Sequence, residues 1–390
     1  SREVFVPRQT SVLGLEGPEG GFLKAMADGI NDSDSAALLS VFSSSPLASA
    51  SASALSSGSE SLSTSDVSSS RLLSLASRCA SHLNLGTSGP SPSLASLSST
   101  ERNRLLAYYV PVYLWCENLR EEIIKQKKMK EAENDSTPTL VVGVSAPQGC
   151  GKTTLVEELA RLFRDDGVNC CNVSLDDFYL RGEQQDELAA KHPENSLLQF
   201  RGNFGSHDPD LGIRTIDALR QASKGDVVKL PRYDKALRGG RGDRAPESTW
   251  PQVTGPVDVV LLEGWSLGFT PVGEERAVSD GGPELAQVDK YLNEMPYGDL
   301  HERCDGWIVV QIEDPKVVFE WRLQQEVALR KVKGDENCLT DEQVSDFVDR
   351  FMPAYKGYLS GLYANGPHRA NGRPTLAFYV DANRTPFASP

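Results

Sequence analysis

The sequence predicts an α/β fold in which a parallel sheet is covered by helices on both faces. Apolar, β-branched segments of strand length alternate with amphipathic segments from Thr139 to Val380. A glycine-rich loop separates the first of these strands from the next helix, and acidic residues follow two further strands. Because the carboxyl ends of parallel strands lie at one edge of a sheet, we expect one polar cleft at that edge.

The composition argues against several other classes of protein. The chain has 390 residues, of which 39% are hydrophobic and 24% are charged, and its formal net charge is −14. This acidic balance argues against a general binder of nucleic acid or of anionic membranes. No apolar run approaches the roughly 18 residues of a transmembrane helix. The seven cysteines form no C-x-x-C pair and the five histidines lack metal-ligand spacing, which argues against a disulfide framework or a zinc site.

The first hundred residues have a different composition from the rest of the chain. About 27 of residues 31–100 are serines, with few charges between them. Such a segment buries too little apolar surface to offset its ordering entropy, so we predict residues 1–100 to be a largely disordered extension. It holds short predicted helices at Ser35–Val41 and Arg71–Leu83. A plain spacer is the favoured interpretation, and a remnant of an organellar targeting sequence is the alternative.

Two further units follow this extension. Residues 101–137 have the apolar spacing of a helix, which Pro111 should interrupt or restart, and residues 138–390 carry the alternating strands and helices. The predicted strands are Thr139–Ser145, Val168–Ser174, Val257–Leu262, Trp307–Ile312 and Thr375–Val380. The predicted helices of this unit are Leu155–Phe163, Pro315–Lys331 and Asp341–Leu362.

The loop after the first strand has the sequence and position of a phosphate-binding loop. Ala146–Thr154 reads A-P-Q-G-C-G-K-T-T and leads directly into a helix. Glycines let backbone N–H groups turn towards phosphate oxygens, and the helix N-terminus adds a favourable dipole. In this pattern the lysine reaches the outer phosphates and the next hydroxyl faces Mg²⁺. The predicted nucleotide-binding residues are Gly149, Cys150, Gly151, Lys152, Thr153 and Thr154.

This loop makes the predicted fold a P-loop NTPase-type sheet with ATP and Mg²⁺ as the expected ligands. The usual first glycine of the pattern is Ala146 here, whose methyl group fits if its φ is negative. Cys150 lies inside the loop. A thiolate there would have its pKa lowered by the helix N-terminus and Lys152, so that oxidation would block ATP; a small residue that simply fits is the favoured alternative.

Acidic side chains follow the second and third predicted strands. Asp176 and Asp177 end the segment S-L-D-D, and Glu263 ends L-L-E. At this edge an aspartate can accept a proton from a substrate hydroxyl, and an acid after the third strand can face Mg²⁺. We therefore predict Asp176 as the general base and Glu263, with Thr153, as the metal-side groups. Asp177 is more consistent with a helix cap.

With these elements together, the chain resembles the uridine kinase/phosphoribulokinase-like small-molecule kinases, and among them the plant-type D-glycerate 3-kinases. The resemblance covers about residues 101–387 and leaves the serine-rich segment outside. The segments that carry it are Tyr108–Cys116, Gly143–Thr154, Leu175–Leu180, Arg201–Asp208, Leu230–Lys235, Gly242–Arg244, Glu263–Trp265, Trp321–Glu326 and Phe351–Tyr355.

The resemblance implies roles for particular residues. Asp176 matches the acid that deprotonates the acceptor hydroxyl, Glu263 matches the Mg²⁺-side acid, and Arg322 lies in the helix that covers the transferring phosphoryl group. We therefore expect Arg322 to be catalytic together with Asp176 and Lys152. The segment 381–384 follows the last strand, where such kinases often line the adenine.

The acceptor site is expected between the second and third predicted strands of the chain. This stretch is rich in charge, and a local basic cluster within an acidic protein favours a small anionic acceptor whose carboxylate an arginine pair would hold. The alternative is that several of these arginines only pair with neighbouring aspartates. For His207 an orienting hydrogen bond is preferred over a role as base. The predicted acceptor contacts are Arg201, His207, Asp208, Arg232 and Tyr233.

The predicted function is ATP-dependent phosphorylation of D-glycerate to 3-phosphoglycerate, with the phosphorylated position implied by the resemblance alone. One alternative is a kinase of another small acceptor, such as pantothenate or a nucleoside. Another is a nucleotide-binding scaffold without turnover, although a scaffold has no use for a proton acceptor. The resemblance implies a photorespiratory enzyme of the chloroplast stroma, with the cytoplasm as alternative. We expect no nucleic-acid or membrane partner, and the sequence leaves the oligomeric state open, with a monomer compatible with it.

Overall fold

A six-stranded sheet forms the centre of the protein. The computed structural model describes residues 40–43, 45, 47, 68–85, 94–130, 137–334 and 339–387. The strands in chain order are β1 (Leu140–Ser145), β2 (Cys170–Ser174), β3 (Val227–Lys229), β4 (Tyr233–Asp234), β5 (Asp243–Arg244), β6 (Gln252–Thr254), β7 (Val259–Gly264), β8 (Gly306–Gln311), β9 (Thr375–Val380) and β10 (Pro386–Phe387). The central sheet has the order β10-β9-β8-β1-β7-β2, and only β10 runs antiparallel to its neighbour.

Helices surround this sheet and contribute to both of its cores. They are α1 (Ser69–His82), α2 (Ser99–Arg104), α3 (Val110–Lys130), α4 (Lys152–Asp165), α5 (Gly182–Lys191), α6 (Pro209–Gln221), α7 (Glu274–Gly281), α8 (Pro283–Glu294), α9 (Tyr297–His301), α10 (Val317–Lys333), α11 (Asp341–Asp349) and α12 (Met352–Asn365). Among the described helices, none contains an apolar stretch long enough to cross a bilayer. The predicted α/β class with a parallel sheet is confirmed.

The sheet separates two apolar cores. Alternate side chains of β1 enter opposite cores: Val142 packs with Leu159 of α4, whereas Val141 packs with Ile216 of α6. This is the two-sided burial that apolar, β-branched strands predict. The five predicted strands are all present, with ends that differ by up to two residues. The short strands β3 to β6 and β10 were not predicted, because each has only two or three residues.

Helix α1 places part of the serine-rich segment in the larger core. Its Leu75, Ala76 and Cys79 are buried, and Arg78 pairs with Asp166 at the end of α4 at 2.8 Å. The helix predicted at Arg71–Leu83 is therefore present, but it is packed rather than part of a disordered spacer. The helix predicted at Ser35–Val41 lies mostly outside the described residues. The domain boundary at residue 100 stays a prediction.

Leu75→Ala is expected to destabilise the folded protein by about 2–4 kcal/mol, because Leu75 is fully buried and its loss leaves a cavity. The measurement is chemical denaturation. The exposed Ser69→Ala on the same helix serves as the control and should change stability by less than about 0.5 kcal/mol. Equal stability of wild type and Leu75→Ala would mean that α1 does not contribute to the core.

Proline explains two interruptions of the helical pattern. Pro111 has no N–H group to donate to the carbonyl of Ala107, and the chain forms a π-helical turn at Leu105–Tyr109 just before it. The Ser45 hydroxyl donates to that carbonyl at 3.0 Å. The single helix predicted at Asp341–Leu362 is wrong: α11 ends at Asp349 and α12 begins at Met352, with Pro353 in its first turn.

Candidate active site

The phosphate-binding loop lies between β1 and α4, as the sequence predicts. Gly149 and Gly151 have φ of +80° and +93°, which favours glycine at both positions. A Cβ at Gly149 would lie 2.6 Å from Cβ of Trp321, whereas one at Gly151 would meet nothing within 4 Å. Gly149 is thus required by packing, and Gly151 keeps an open approach at the helix N-terminus. Ala146 is buried without a positive φ, so the mild departure from the usual pattern is accommodated.

Three groups from the C-terminal half of the chain brace the loop. The Tyr355 hydroxyl accepts from the backbone N–H of Gln148 at 3.1 Å. Nε of Arg384 donates to the carbonyl of Gly149 at 2.7 Å, and its guanidinium lies 5.1 Å from the ring centroid of Trp321. The segment 381–384 therefore contacts the loop directly; that it lines the adenine stays a prediction. These contacts join segments far apart in the chain, so no local sequence pattern predicts them.

The lysine of the loop faces the acid at the end of β7. Nζ of Lys152 lies 2.6 Å from Oε2 of Glu263, and both side chains are largely buried. In the sheet register Glu263 lies beside Val144 of β1 and Ser174 of β2. Burial disfavours the charged form of Lys152, but Glu263 and Asp176 outweigh it and raise the pKa of Lys152. The cation is therefore retained at neutral pH.

Asp176 lies in the same electrostatic environment. Its Oδ2 is 2.6 Å from Nζ of Lys235, and its Oδ1 accepts from the Tyr179 hydroxyl at 3.0 Å. Burial would raise the pKa of Asp176, but Lys235 and Lys152 outweigh burial and lower the pKa to about 2. The carboxylate is therefore ionised at any physiological pH and can accept a hydrogen bond from a hydroxyl group.

Asp177 points into a different environment from Asp176. It is 9% exposed, accepts from the backbone N–H of Tyr233 at 3.0 Å and forms an ion pair with Arg232. Asp177 thereby connects the turn after β2 to β4. This is a structural role, but the helix cap predicted for Asp177 is wrong, because Ser174 and Arg181 are the N-caps of the neighbouring helices. Arg232, predicted as an acceptor contact, is thus already paired. Tyr233 lies edge-on to Tyr179 with centroids 5.2 Å apart.

Of the other predicted acceptor contacts, Asp208 has a structural role, whereas Arg201 has no acidic partner among the described residues. Asp208 is the N-cap of α6, where it accepts from Leu211 N–H at 2.9 Å, and it lies 3.5 Å from Arg244. This is the pairing of an arginine with a neighbouring aspartate that the sequence left open. Arg201 donates to the carbonyls of Gly240 and Arg241 and has no carboxylate partner among the described residues.

His207 is fully buried between aromatic rings. Its ring stacks on Tyr179 with centroids 4.5 Å apart, and Nδ1 lies 3.1 Å from the Tyr297 hydroxyl. Nε2 is buried without a hydrogen-bond partner in the described residues. Burial lowers the pKa of His207 to about 4, against a smaller opposing effect of Asp176. A neutral ring at pH 7 is compatible with the predicted orienting role.

His207 should make the protein less stable as the pH falls from about 6.5 to about 4. In this window the unfolded histidine binds a proton and the folded one does not, so stability declines by about 3 kcal/mol in total. Chemical denaturation at pH 7, 6, 5 and 4.5 measures this slope. His207→Asn should reduce it, whereas His192→Asn, at a partly exposed ring, should leave most of it. An unchanged slope in His207→Asn would contradict this account.

Arg322 lies one residue from Trp321 in α10. Its guanidinium forms an ion pair with Glu326 at 3.0 Å and lies 5.4 Å from the ring centroid of Phe347. The helix therefore packs on the phosphate-binding loop through Trp321, while Arg322 is held towards α11. Its contact with the transferring group stays a prediction.

Cys150 does not have the environment of a redox-sensitive thiol. It is 2% exposed, and burial raises its pKa to about 11 despite the opposing effect of Lys152. The expectation of a lowered thiol pKa is wrong, because removal from water outweighs the neighbouring positive charge. The alternative, a small residue that fits the loop, agrees with the structure.

The donor groups fit a magnesium ion held mainly by phosphates and water. The Thr153 side chain is exposed and makes no hydrogen bond within the described residues, and the Glu263 carboxylate lies next to Lys152. No cluster of three or more His, Cys, Asp or Glu side chains suited to a metal occurs in the described part of the chain. Mg²⁺ in phosphate-transfer sites commonly takes only one or two protein ligands.

The phosphate-binding loop and the acids beside it point to a kinase, and comparison with known proteins supports this assignment. No protein-family model matches the chain. The chain is 45% identical over 292 residues to the chloroplastic D-glycerate 3-kinase of Arabidopsis thaliana. These residues make up 75% of the chain but only 62% of the length of that relative. It is 34% identical to an uncharacterized kinase, mug58, of Schizosaccharomyces pombe, over 68% of the chain and 97% of the relative.

A solved structure agrees with these relatives. The D-glycerate 3-kinase of Cryptococcus neoformans is 31% identical, with a TM-score of 0.60, and the match covers 70% of this chain and 96% of that one. The match thus extends over almost the whole of that enzyme. The chain belongs to the D-glycerate 3-kinase family of ATP-dependent P-loop kinases.

Proposed function

We propose that the protein transfers the γ-phosphoryl group of ATP to D-glycerate and forms 3-phosphoglycerate. The observation that carries the proposal is the ionised Asp176 beside the Lys152–Glu263 pair, at the edge where β1, β2 and β7 end. A kinase needs a phosphate-binding loop and a hydroxyl acceptor site on opposite sides of one transferring group. Gly149–Thr154 forms part of the phosphate-binding loop. Asp176 marks the acceptor site, because its carboxylate can accept a hydrogen bond from the acceptor hydroxyl.

Each group has a role in this scheme. Backbone N–H groups of Gly149–Thr154 and the Lys152 ammonium bind the phosphates of ATP. Mg²⁺, held by Thr153 and Glu263, would neutralise developing charge on the phosphoryl oxygens. Asp176 accepts a hydrogen bond from the 3-hydroxyl and takes its proton as the new bond forms between that oxygen and the γ-phosphorus. The bond from the γ-phosphorus to the bridging oxygen breaks at the same time, and ADP leaves with that oxygen. A carboxylate with a pKa of about 2 suffices, because a loose transition state demands little basicity of its acceptor.

The acceptor and cellular setting rest on the relatives. D-Glycerate is the substrate in the names of the Arabidopsis and Cryptococcus proteins, and the former is chloroplastic. We propose a chloroplast location on this basis, and a role in photorespiration in the stroma on the resemblance of the sequence to plant-type D-glycerate 3-kinases. The acceptor is tested by ADP release with Mg·ATP and D-glycerate, L-glycerate, uridine or pantothenate. Turnover confined to D-glycerate supports the proposal, and turnover confined to uridine or pantothenate would replace the acceptor.

A further inference from the structure

Most cations at the acceptor side of the cleft have a carboxylate partner. The ion pairs are Lys235–Asp176, Arg232–Asp177, Arg244–Asp208, Arg238–Asp186 and Arg241–Asp186. Three guanidinium groups of this region differ from this pattern: the exposed Arg181, which lies near Arg244, and Arg201 and Arg350. Arg201 and Arg350 form no ion pair with any carboxylate of the described residues, although both lie in the same region.

Arg350 is held in place by aromatic rings rather than by an acid. Its guanidinium lies 4.7 Å from the ring centroid of Phe200 and 5.1 Å from that of Phe347. Its Nε donates to the carbonyl of Asp346 at 3.3 Å. Contacts with two aromatic rings restrict the rotamers of an arginine without neutralising its charge. The N–H groups of the guanidinium are therefore preorganised to bind an anion.

The break between α11 and α12 is attached to the loop that carries Arg201. The Asn203 amide donates to the carbonyl of Arg350 at 3.1 Å. The ring of Phe351 lies so close to Gly202 that a Cβ added to Gly202 would be 2.6 Å from it. Hence the segments that carry Arg350 and Arg201 are held together by contacts of the neighbouring residues Asn203 and Phe351, independently of the flexibility of the two arginine side chains.

The two guanidinium groups carry positive charge that no ion pair neutralises, and the charge of Arg201 acts on Tyr179, which contacts the proposed general base. Burial, and then the charge of Arg201, lower the pKa of Arg350. Asp346 opposes these two effects less strongly. Arg201 also opposes the rise in the pKa of Tyr179, the residue that donates to Asp176. Two neighbouring guanidinium groups repel each other, and a bound carboxylate would convert that repulsion into two attractions.

We propose that Arg350, together with Arg201, binds the carboxylate of the acceptor and selects an anionic substrate. The proposal rests on the proposed function, and it names a specificity-determining residue for it. In glycerate the carboxylate and the 3-hydroxyl occupy opposite ends of a three-carbon chain. One end then lies at Asp176 and the other at the two arginines. The ring of Phe347 contacts the guanidinium groups of both Arg350 and Arg322, so the acceptor-side cation lies near the arginine of α10.

The test compares Arg350→Gln and Arg350→Lys with Arg214→Gln, which removes an exposed cation of α6. Arg350→Gln should raise KM for D-glycerate about 10- to 100-fold and change KM for ATP less than about twofold. Arg350→Lys should raise KM for D-glycerate less than Arg350→Gln, because lysine keeps the positive charge but lacks the paired N–H donors of the guanidinium. The kcat/KM for glycerol, which lacks the carboxylate, should be the same in wild type and Arg350→Gln. Arg214→Gln should match wild type throughout.

A merely structural role would give a different result. If Arg350 only packs between the rings, Arg350→Gln would change D-glycerate and glycerol turnover equally, and this would overturn the inference. Calorimetry of D-glycerate with a non-hydrolysable ATP analogue separates this failure from that of the proposed function. Equal D-glycerate affinity of wild type and Arg350→Gln overturns the inference alone. Binding that depends on Arg350, without any turnover of D-glycerate, supports the inference and overturns the proposed function alone.

Discussion

Asp176→Asn is expected to lower kcat by about 10²-fold or more while leaving ATP affinity nearly unchanged. The amide keeps the size of the carboxylate but accepts no proton from the acceptor hydroxyl. Lys235 loses its partner, yet its side chain is 57% exposed and stays hydrated. Fold stability should therefore change little. Steady-state ADP release gives kcat, and calorimetry with an ATP analogue gives the nucleotide affinity.

Asp177→Asn is the matched control for this experiment, because it changes the adjacent residue in the same way. Asp177 holds Arg232 and the backbone of Tyr233, so its replacement should cost about 1–3 kcal/mol of stability. The kcat of the folded variant should stay within a few fold of wild type. Full turnover by Asp176→Asn, or loss of turnover only in Asp177→Asn, would contradict the assignment of Asp176 as the base.

Lys152→Met is expected to lower kcat/KM by about 10²- to 10³-fold, because a buried cation that stabilises phosphoryl charge is lost. This variant also leaves Glu263, which is 7% exposed, as an unpaired buried carboxylate. Breaking a buried pair from one side costs about 3–5 kcal/mol. Lost activity alone would thus not separate catalysis from folding, and chemical denaturation must accompany the kinetic measurement.

The double variant Lys152→Met/Glu263→Gln resolves this ambiguity. With both charges removed, most of the lost stability should return, because no unpaired charge remains in the site. Activity should stay low, since neither the phosphate contact nor the metal-side acid is present. Recovery of activity along with stability would mean that Lys152 serves folding and not phosphate binding.

The phosphate-binding loop could be predicted because its constraints are local. The positive φ at Gly149 and Gly151, the helix that begins at Lys152 and the preceding apolar strand all act within fifteen residues of the chain. The acids at the strand ends were predictable for a related reason. All strands of a parallel sheet have their carboxyl ends at the same edge. These acids can therefore be placed at that edge even when the order of the strands is unknown.

Partners that come from distant segments could not be predicted in this way. In the sequence Lys235 is one of several charged residues between β2 and β7, and its contact with Asp176 depends on how this segment folds back over the site. Arg350 was missed because a continuous helix was expected there, which would have placed it among ordinary helical surface residues. The break before Pro353 and the rings of Phe200 and Phe347 give it its position.

The packing of α1 was missed for a compositional reason. Serine-rich segments usually lack the apolar surface to fold, and the segment as a whole was interpreted from its average. Within Ser69–His82, however, Leu72, Leu75, Ala76 and Cys79 recur at helical spacing and are buried. The apolar period within a short window was therefore more informative than the composition of the surrounding seventy residues.

The product formed from D-glycerate is the most direct test of the proposed activity. Wild-type protein is incubated with Mg·ATP and carbon-labelled D-glycerate, and the product is identified by phosphorus and carbon NMR. The account predicts stoichiometric ADP and a phosphorus resonance coupled to carbon 3, with no product from Asp176→Asn on the same timescale. A phosphate on carbon 2, or ADP release without any phosphorylated glycerate, would contradict it.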